Sequence, residues 1–206
     1  MHIPTTEHFK ALKRVLRYLH GSISDGLYFA KGAALTLTAF TDADWAGCLD
    51  DRRSTSGFLI YLGNTLIAWT SRKQKTVARS STESEFKAVA DVCVELRWLV
   101  HLLHELKISL TRPPHIWCDN VGAVYLSTNP AFHARTRHVE VDYHFVRNMV
   151  QARHITVLSL SSADQLVDIL TKPLSKPAFT TFRDILRLRS SSSSACGGVS
   201  DNITTK

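Results

Sequence analysis

The chain has 206 residues, 44% of them hydrophobic, and a formal net charge of +7. This size and composition suit one folded core with extensions and exclude fibrous, collagen-like and wholly disordered classes. The positive charge favours a polyanionic partner, and four dispersed cysteines without a CxxC pair argue against a zinc ribbon or a disulfide framework. No apolar run is long enough to cross a membrane and no secretory signal is recognisable, so we expect a cytoplasmic protein without membrane contact.

Helical and strand-like periodicities alternate along the chain. In chain order they predict a helix over 7–20 ending at Gly21, a strand over 35–42, strands over 57–62 and 65–70 around a Gly63-Asn64 turn, a helix over 81–106, a strand over 115–119, a helix over 121–127, a helix in the second half of 133–150, a strand over 154–160 and a short helix over 165–171. This order indicates an α/β protein in which helices pack against a mixed sheet.

Two of the predicted strands end in a carboxylate. Asp42 ends the first strand on the same face as Phe40, and Asp119 ends the strand that precedes the helix over 121–127. A buried strand-end carboxylate is unfavourable unless a cation accompanies it. Each residue also has a purely structural interpretation, because Asp42 could start a turn and Asp119 could cap the next helix.

The phase of the long helix distinguishes between two glutamates. Glu83 and Lys87 form an i,i+4 ion pair on a solvated stripe. Glu85 instead lies on an apolar stripe that should face the sheet. The other members of that stripe are Val89, Val92, Leu96, Leu99 and Leu103. The alternative for Glu85 is a capping box with Thr82.

A fourth acid, Asp168, falls in the middle of the last short predicted helix, where aspartate has poor propensity but is also common on exposed faces. Together, the four carboxylates could converge on one edge of the sheet. Clustered carboxylates repel one another unless a hard cation neutralises them, and Mg²⁺ prefers such oxygen ligands. A site with two such ions carries out in-line phosphoryl displacement.

Four segments resemble the successive motifs of ribonuclease H domains in Ty1/copia-type retrotransposon Pol polyproteins. They are TDADWAG (41–47), SSTESEFKA (80–88), WCDN (117–120) and DQLVDILTKPL (164–174), and the resemblance extends over about residues 7–180. It implies a ribonuclease H-like α/β fold, a five-stranded mixed sheet flanked by helices in which the first three strands are antiparallel. It also implies that Asp42, Glu85, Asp119 and Asp168 are the catalytic, metal-binding acids. Integrase and resolvase cores place a glutamate last, so the D-E-D-D order disfavours them.

The resemblance implies an endoribonuclease that hydrolyses the RNA strand of RNA–DNA hybrids with two Mg²⁺ ions, for which Mn²⁺ is the expected substitute. The partner it implies is the reverse transcriptase portion of the same or a related polyprotein, within a virus-like particle in an active element. The alternative is an inactive or merely nucleic-acid-binding remnant of such a polyprotein. The SLSSADQ loop (159–165) lacks the mobile histidine that cellular ribonucleases H carry before the last acid.

The same resemblance suggests three regions. Residues 1–32 resemble the end of a reverse transcriptase region, residues 33–189 the ribonuclease H-like domain with a C-terminal helix, and residues 190–206 form a Ser-rich tail that we expect to be disordered.

Several residues are expected to contact the nucleic acid. Arg72, Lys73, Lys75 and Arg79, here called the basic segment, directly precede the helix that carries Glu85 and favour phosphate contact over a merely solvated loop. Ser81 and Thr82 at the helix start could add N–H and hydroxyl contacts, and Asn120 could contact a 2′-hydroxyl. The four tryptophans, Trp45, Trp69, Trp98 and Trp117, are predicted to lie in the core rather than to stack on bases.

Overall fold

The computed structural model describes residues 3–29, 34–129 and 140–190, so most of the predicted tail over 190–206 lies outside the described residues. The chain divides into two compact units, one formed by Phe29–Phe182 and the other by Met1–Tyr28 with Arg183–Lys206. The described residues contain no helix that is both long and apolar enough to span a bilayer.

The described helices and strands follow the predicted order. They are α1 (Thr6–Ser22), β1 (Asp25–Leu27), β2 (Leu37–Asp44), β3 (Thr55–Leu62), β4 (Thr65–Lys73), α2 (Ser81–Glu105), β5 (His115–Cys118), α3 (Val121–Thr128), α4 (Glu140–Gln151), β6 (Thr156–Ser159), α5 (Asp168–Thr171), α6 (Lys176–Ile185) and β7 (Leu188–Ser190), with a 3-10 turn at Ser162–Asp164. The helix predicted to stop at Gly21 continues by one residue to Ser22.

The larger unit contains a five-stranded mixed sheet in the order β4-β3-β2-β5-β6. Strands β2, β3 and β4 pair antiparallel, and β5 and β6 extend the sheet in parallel to β2. The hairpin between β3 and β4 turns at Gly63, which adopts a φ of 59° that glycine tolerates best. The expected five-stranded sheet, with its first three strands antiparallel, is confirmed.

Helix α2 packs on the sheet through the stripe predicted from its periodicity. Val89, Val92 and Leu96 are fully buried, and Leu99 and Leu103 nearly so. They join Ile116 of β5 and Ala39 of β2 in one apolar core. Burial of this stripe fixes the rotation of α2 and therefore the direction in which Glu85 points.

The smaller unit pairs two short strands that the sequence periodicity did not predict. β1 and β7 are antiparallel, with Gly26 opposite Arg189. Arg183 and Asp25 form an ion pair in the same unit, with 3.7 Å between Arg183 Nη1 and Asp25 Oδ2.

The prediction of core tryptophans is wrong for three of the four. Trp45, Trp69 and Trp98 expose about half of their surface. Trp69 lies on β4, an edge strand of the sheet, and Trp98 lies on α2 outside the buried stripe. The indole N–H of Trp45 donates to the Ala78 carbonyl at 3.1 Å, so the polar atom of this ring is satisfied although the ring is half-exposed.

Candidate active site

Two neighbouring parallel strands bring the first two acids to the same edge of the sheet. Thr41 of β2 is in register with Cys118 of β5, so the residues that follow, Asp42 and Asp119, lie side by side. Asp42 is almost completely buried and Asp119 is partly exposed. The carboxyl ends of adjacent parallel strands are a frequent location for ligand sites in such sheets.

Glu85 reaches the same place from the first turns of α2. It is only 5% exposed. It interacts by hydrogen bonding with the Ala43 backbone and the Asp42 side chain. Ligand atoms of Glu85, Cys118 and Asp119 all lie within 4.8 Å of one another, and the Cys118 thiol donates to Glu85 Oε2 at 3.9 Å.

Asp168 completes the group from α5, close enough to Asp42 and Asp119 to interact electrostatically with both. It is the first residue of α5, not a mid-helix residue as predicted, because this helix has only four residues. Lys172 Nζ lies 2.6 Å from Asp168 Oδ1 and 3.4 Å from Asp42 Oδ1. The structure thus brings the four predicted acids together, and we call Asp42, Glu85, Asp119 and Asp168 the acid cluster.

Helix α5 is held against the sheet at several points. The Thr171 hydroxyl donates to the Asp42 carboxylate. The Ser71 hydroxyl donates to the Leu170 carbonyl at 2.7 Å, and the buried Gln165 amide donates to the Thr41 carbonyl at 2.9 Å. These bonds connect α5 and the residues just before it to β2 and β4, and so determine where Asp168 lies.

The negative charges of the acid cluster are only partly neutralised by neighbouring cations. Burial, together with the charges of Asp42 and Asp119, raises the pKa of Glu85 to about 9. Burial also raises the pKa of Asp168, although the ion pair with Lys172 opposes this effect. Partial burial lowers the pKa of Lys172, but the neighbouring carboxylates outweigh it and raise this pKa overall.

The structural alternatives for two of the acids are excluded. The N-cap of α2 is Ser80, whose hydroxyl accepts from the Glu83 N–H at 3.1 Å, so Glu85 is not in a capping box with Thr82. The N-cap of α3 is Asn120, whose Oδ1 accepts from the Ala123 N–H at 3.0 Å. Asp119 is therefore not the N-cap of α3, and its carboxylate is available to the site.

Sequence reasoning missed three residues that contact the acid cluster: Thr171, Lys172 and Cys118. Lys172 follows Asp168 by four residues, a spacing that predicts an ion pair with it but not the second contact with Asp42. Thr171 and Cys118 carried no signal, because a threonine in a short helix and a cysteine in a strand are ordinary occupants of a core.

The register of the sheet places the start of the basic segment level with the acid cluster. Arg72 of β4 is opposite Ser56 of β3, which is opposite Ala43 of β2. With about 4.8 Å between neighbouring strands, the Arg72 backbone lies roughly 10 Å from that of Ala43. All four members of the segment are exposed. Lys73 is partly engaged, because its ammonium lies 3.3 Å from Asp51 Oδ2.

The donors of the acid cluster suit a hard divalent cation. They are carboxylates, and among the described residues Lys172 is the one ammonium in an ion pair with them, so the cluster keeps an excess of negative charge when ionised. Burial is the main cause of the raised pKa of Glu85, and the neighbouring negative charges of Asp42 and Asp119 add to it. Such a set of oxygen ligands is typical of Mg²⁺ and Mn²⁺ sites, although the Cys118 thiol adds a softer neighbour.

Comparison with known proteins identifies relatives for nearly the whole chain. It is 55% identical over 182 residues to the retrovirus-related Pol polyprotein from transposon RE1 of Arabidopsis thaliana, covering 88% of this chain and 12% of the polyprotein. It is 53% identical over 200 residues to the corresponding polyprotein from transposon RE2 of the same plant, covering 97% of this chain and 14% of the polyprotein. The chain therefore spans about one seventh or less of these relatives. No family model matches it.

Among solved structures, LC11-RNase H1 in complex with an RNA/DNA hybrid has a similar fold. The TM-score is 0.50, with 9% identity, and the alignment covers 70% of this chain and 99% of LC11-RNase H1. At that identity the likeness concerns the fold. The long matches to the plant polyproteins and this fold together show that the chain belongs to the retrovirus-related Pol polyproteins of copia-type retrotransposons, as a segment with a ribonuclease H fold.

Proposed function

We propose that this segment is an endoribonuclease that hydrolyses the RNA strand of RNA–DNA hybrids during reverse transcription of a retrotransposon. The observation that carries the proposal is the convergence of four carboxylates from β2, α2, α5 and the residue after β5 at one edge of the sheet. Local structural roles explain neither the burial of Asp42 and Glu85 nor their mutual proximity. An RNA/DNA hybrid is the ligand in the complex of LC11-RNase H1, which shares the fold.

The acid cluster would hold two Mg²⁺ ions, for which Mn²⁺ is the expected substitute. When bound, such ions supply a hydroxide nucleophile and stabilise the leaving oxygen of a phosphodiester. The contribution of the chain is to keep the carboxylates in place before the substrate arrives. Thr171 restrains Asp42, the fixed rotation of α2 restrains Glu85, and the bonds between α5 and the sheet restrain Asp168.

The hybrid would lie across the edge that carries both the acid cluster and the basic segment. Arg72, Lys73, Lys75 and Arg79 are exposed and can contact phosphates without desolvation of a buried charge. Ser81 and Thr82 at the start of α2 and Asn120 at the start of α3 complete the proposed surface. Thr82 and Asn120 are already in contact, with 3.4 Å between Thr82 Oγ1 and Asn120 Oδ1, so the two helix starts form one continuous surface.

The experiment is cleavage of end-labelled RNA–DNA hybrid, single-stranded RNA and duplex DNA by the purified chain with Mg²⁺, Mn²⁺ or EDTA. We expect metal-dependent cleavage of only the RNA strand of the hybrid. Asp119→Asn should reduce the rate by a factor of about 10³ or more, since it removes one ligand of the proposed metal site. Asp164→Asn is the matched control, because Asp164 is an exposed residue of the 3-10 turn outside the acid cluster.

Hybrid binding by the same proteins distinguishes the proposed enzyme from the alternative remnant. Binding of the hybrid without cleavage in either metal would contradict the enzymatic proposal and favour a nucleic-acid-binding remnant. Equal loss of activity in Asp119→Asn and Asp164→Asn would indicate that the acid cluster has no special role. A second partner, the reverse transcriptase portion of the polyprotein, is proposed from the sequence resemblance and can be added in trans to test whether it increases the cleavage rate.

A further inference from the structure

Lys172 occupies the space between two of the proposed metal ligands. Its ammonium lies 2.6 Å from Asp168 Oδ1 and 3.4 Å from Asp42 Oδ1. The Asp42 side chain is only 2% exposed, whereas that of Lys172 is 39% exposed. A cation with access to solvent thus reaches inward to neutralise a buried carboxylate, which differs from a solvated pair on a helix surface.

The position of Lys172 follows from a well-anchored backbone. It directly follows α5, and its N–H donates to the Asp168 carbonyl at 2.9 Å. The preceding Thr171 is bonded to Asp42, and Leu170 accepts a hydrogen bond from Ser71 of β4. The lysine stem therefore starts at a fixed point beside the acid cluster, while its exposed end retains rotamers that lead to solvent.

The charge around the acid cluster is unevenly distributed. Lys172 pairs with Asp42 and Asp168, but in the part of the chain that the structure describes no ion pair reaches Glu85 or Asp119. Asp42 and Asp168 thus pair directly with an internal cation, whereas Asp119 interacts with Lys172 only at longer range. A divalent ion that binds between Asp42 and Asp168 has to compete with the ammonium for the same oxygens, because like charges at such distances repel strongly.

We propose that Lys172 is an internal substitute for one of the two metal ions, and that it must move out before an ion can bridge Asp42 and Asp168. This inference rests on the proposed metal site of the acid cluster. It predicts two unequal sites, a tighter one on the side of Glu85 and Asp119 and a weaker one on the side of Asp42 and Asp168. Lys172 is in this view a positioning residue that keeps Asp168 near Asp42 in the metal-free protein.

The test is the binding of Mn²⁺ to the full chain, measured by electron paramagnetic resonance and by calorimetry. In Lys172→Met we expect the weaker Mn²⁺ to bind about tenfold more tightly or better, because the competing charge is gone. The tighter Mn²⁺ should change much less. Lys172→Arg, which keeps the charge, should resemble the wild type. The matched control is Lys176→Met, four residues further on and exposed at the start of α6.

Thermal unfolding gives an independent readout. Without metal, Lys172→Met should unfold at a lower temperature than the wild type, because Asp42 and Asp168 then repel each other without compensation. Added Mn²⁺ should raise the unfolding temperature of Lys172→Met by more than that of the wild type.

Two results would overturn the inference, and they differ in their consequence for the proposed metal site. Two Mn²⁺ ions bound by wild type and Lys172→Met with the same affinities would refute the role of Lys172 but keep the proposed metal site. No Mn²⁺ bound by the wild type would refute the metal site and the role of Lys172 with it.

Discussion

Gly57 of β3 faces Val167 so closely that a Cβ at Gly57 would lie 2.9 Å from Val167 Cγ1. The same Cβ would lie 3.0 Å from Thr171 Cγ2 and 3.2 Å from Leu170 Cβ. Gly57 is also the cross-strand partner of Asp42. The absence of a side chain at this position therefore lets the segment that carries Asp168 approach the strand that carries Asp42.

Replacing Gly57 by alanine should displace α5 from the sheet. We expect Gly57→Ala to lower the free energy of unfolding by about 1–3 kcal/mol through overpacking, and to weaken Mn²⁺ binding because Asp168 moves away from Asp42. Urea denaturation and Mn²⁺ titration measure the two effects. The control is Gly21→Ala in α1, where a Cβ meets nothing within 4 Å. An unchanged Mn²⁺ affinity in Gly57→Ala would show that the close approach does not position Asp168.

Periodicity predicted the five strands of the sheet and the rotation of α2, because both depend on which residues are buried along a regular element. It could not predict the pairing of β1 with β7, since strands of three residues show no period. It also could not predict that Thr171 and Lys172 contact Asp42, which lies 129 and 130 residues earlier in the chain. Such contacts depend on tertiary packing. The local spacing from Asp168 to Lys172 predicts only the ion pair between these two residues.

The stability of the metal-free protein should depend on pH through Glu85. The pKa of its carboxyl is about 9 in the folded protein against 4.5 for the reference group. Between these values the folded protein holds a proton that the unfolded chain has lost, so the free energy of unfolding should fall as the pH rises. Below the lower value both states are protonated, and this unfavourable contribution is absent.

Glu85→Gln removes this ionisation and should reveal its effect. In EDTA the variant should be more stable than the wild type at about pH 8, on the order of a few kcal/mol, and the difference should shrink toward about pH 5. Urea denaturation at both pH values measures it, with Glu105→Gln at the exposed end of α2 as the control. Parallel pH profiles of wild type and Glu85→Gln would contradict the prediction.

The hydroxyl of Thr171 should contribute measurably to the stability of the metal-free protein. It is buried and donates to the carboxylate of Asp42. Thr171→Val keeps the shape but removes the donor, which should lower the free energy of unfolding by about 1–3 kcal/mol. Thr171→Ser keeps the donor and should recover most of that loss. If Thr171→Val is as stable as the wild type while Thr171→Ser is destabilised, the methyl group and not the hydrogen bond is what matters.

The salt dependence of hybrid binding should distinguish the members of the basic segment. The logarithm of the binding constant falls as the logarithm of the salt concentration rises. Each lysine or arginine that contacts a phosphate of B-form DNA makes this slope steeper by about 0.9, and a contribution of similar size is expected for a hybrid. Arg72→Ala and Lys75→Ala should each reduce the slope by about that amount in an Asp119→Asn background, which we expect to be catalytically inactive. Lys73→Ala should reduce it less, because Asp51 already lies 3.3 Å from the Lys73 ammonium.

Arg97→Ala is the matched control for these slopes. Arg97 is exposed on α2, twelve residues beyond Glu85, and a helical rise of about 1.5 Å per residue places it roughly 18 Å along the helix from the acid cluster. A hybrid bound over the acid cluster and the start of α2 should therefore be insensitive to this change. If Arg97→Ala reduces the slope as much as Arg72→Ala, the hybrid follows α2 along its length, and the basic segment is not the preferred phosphate contact.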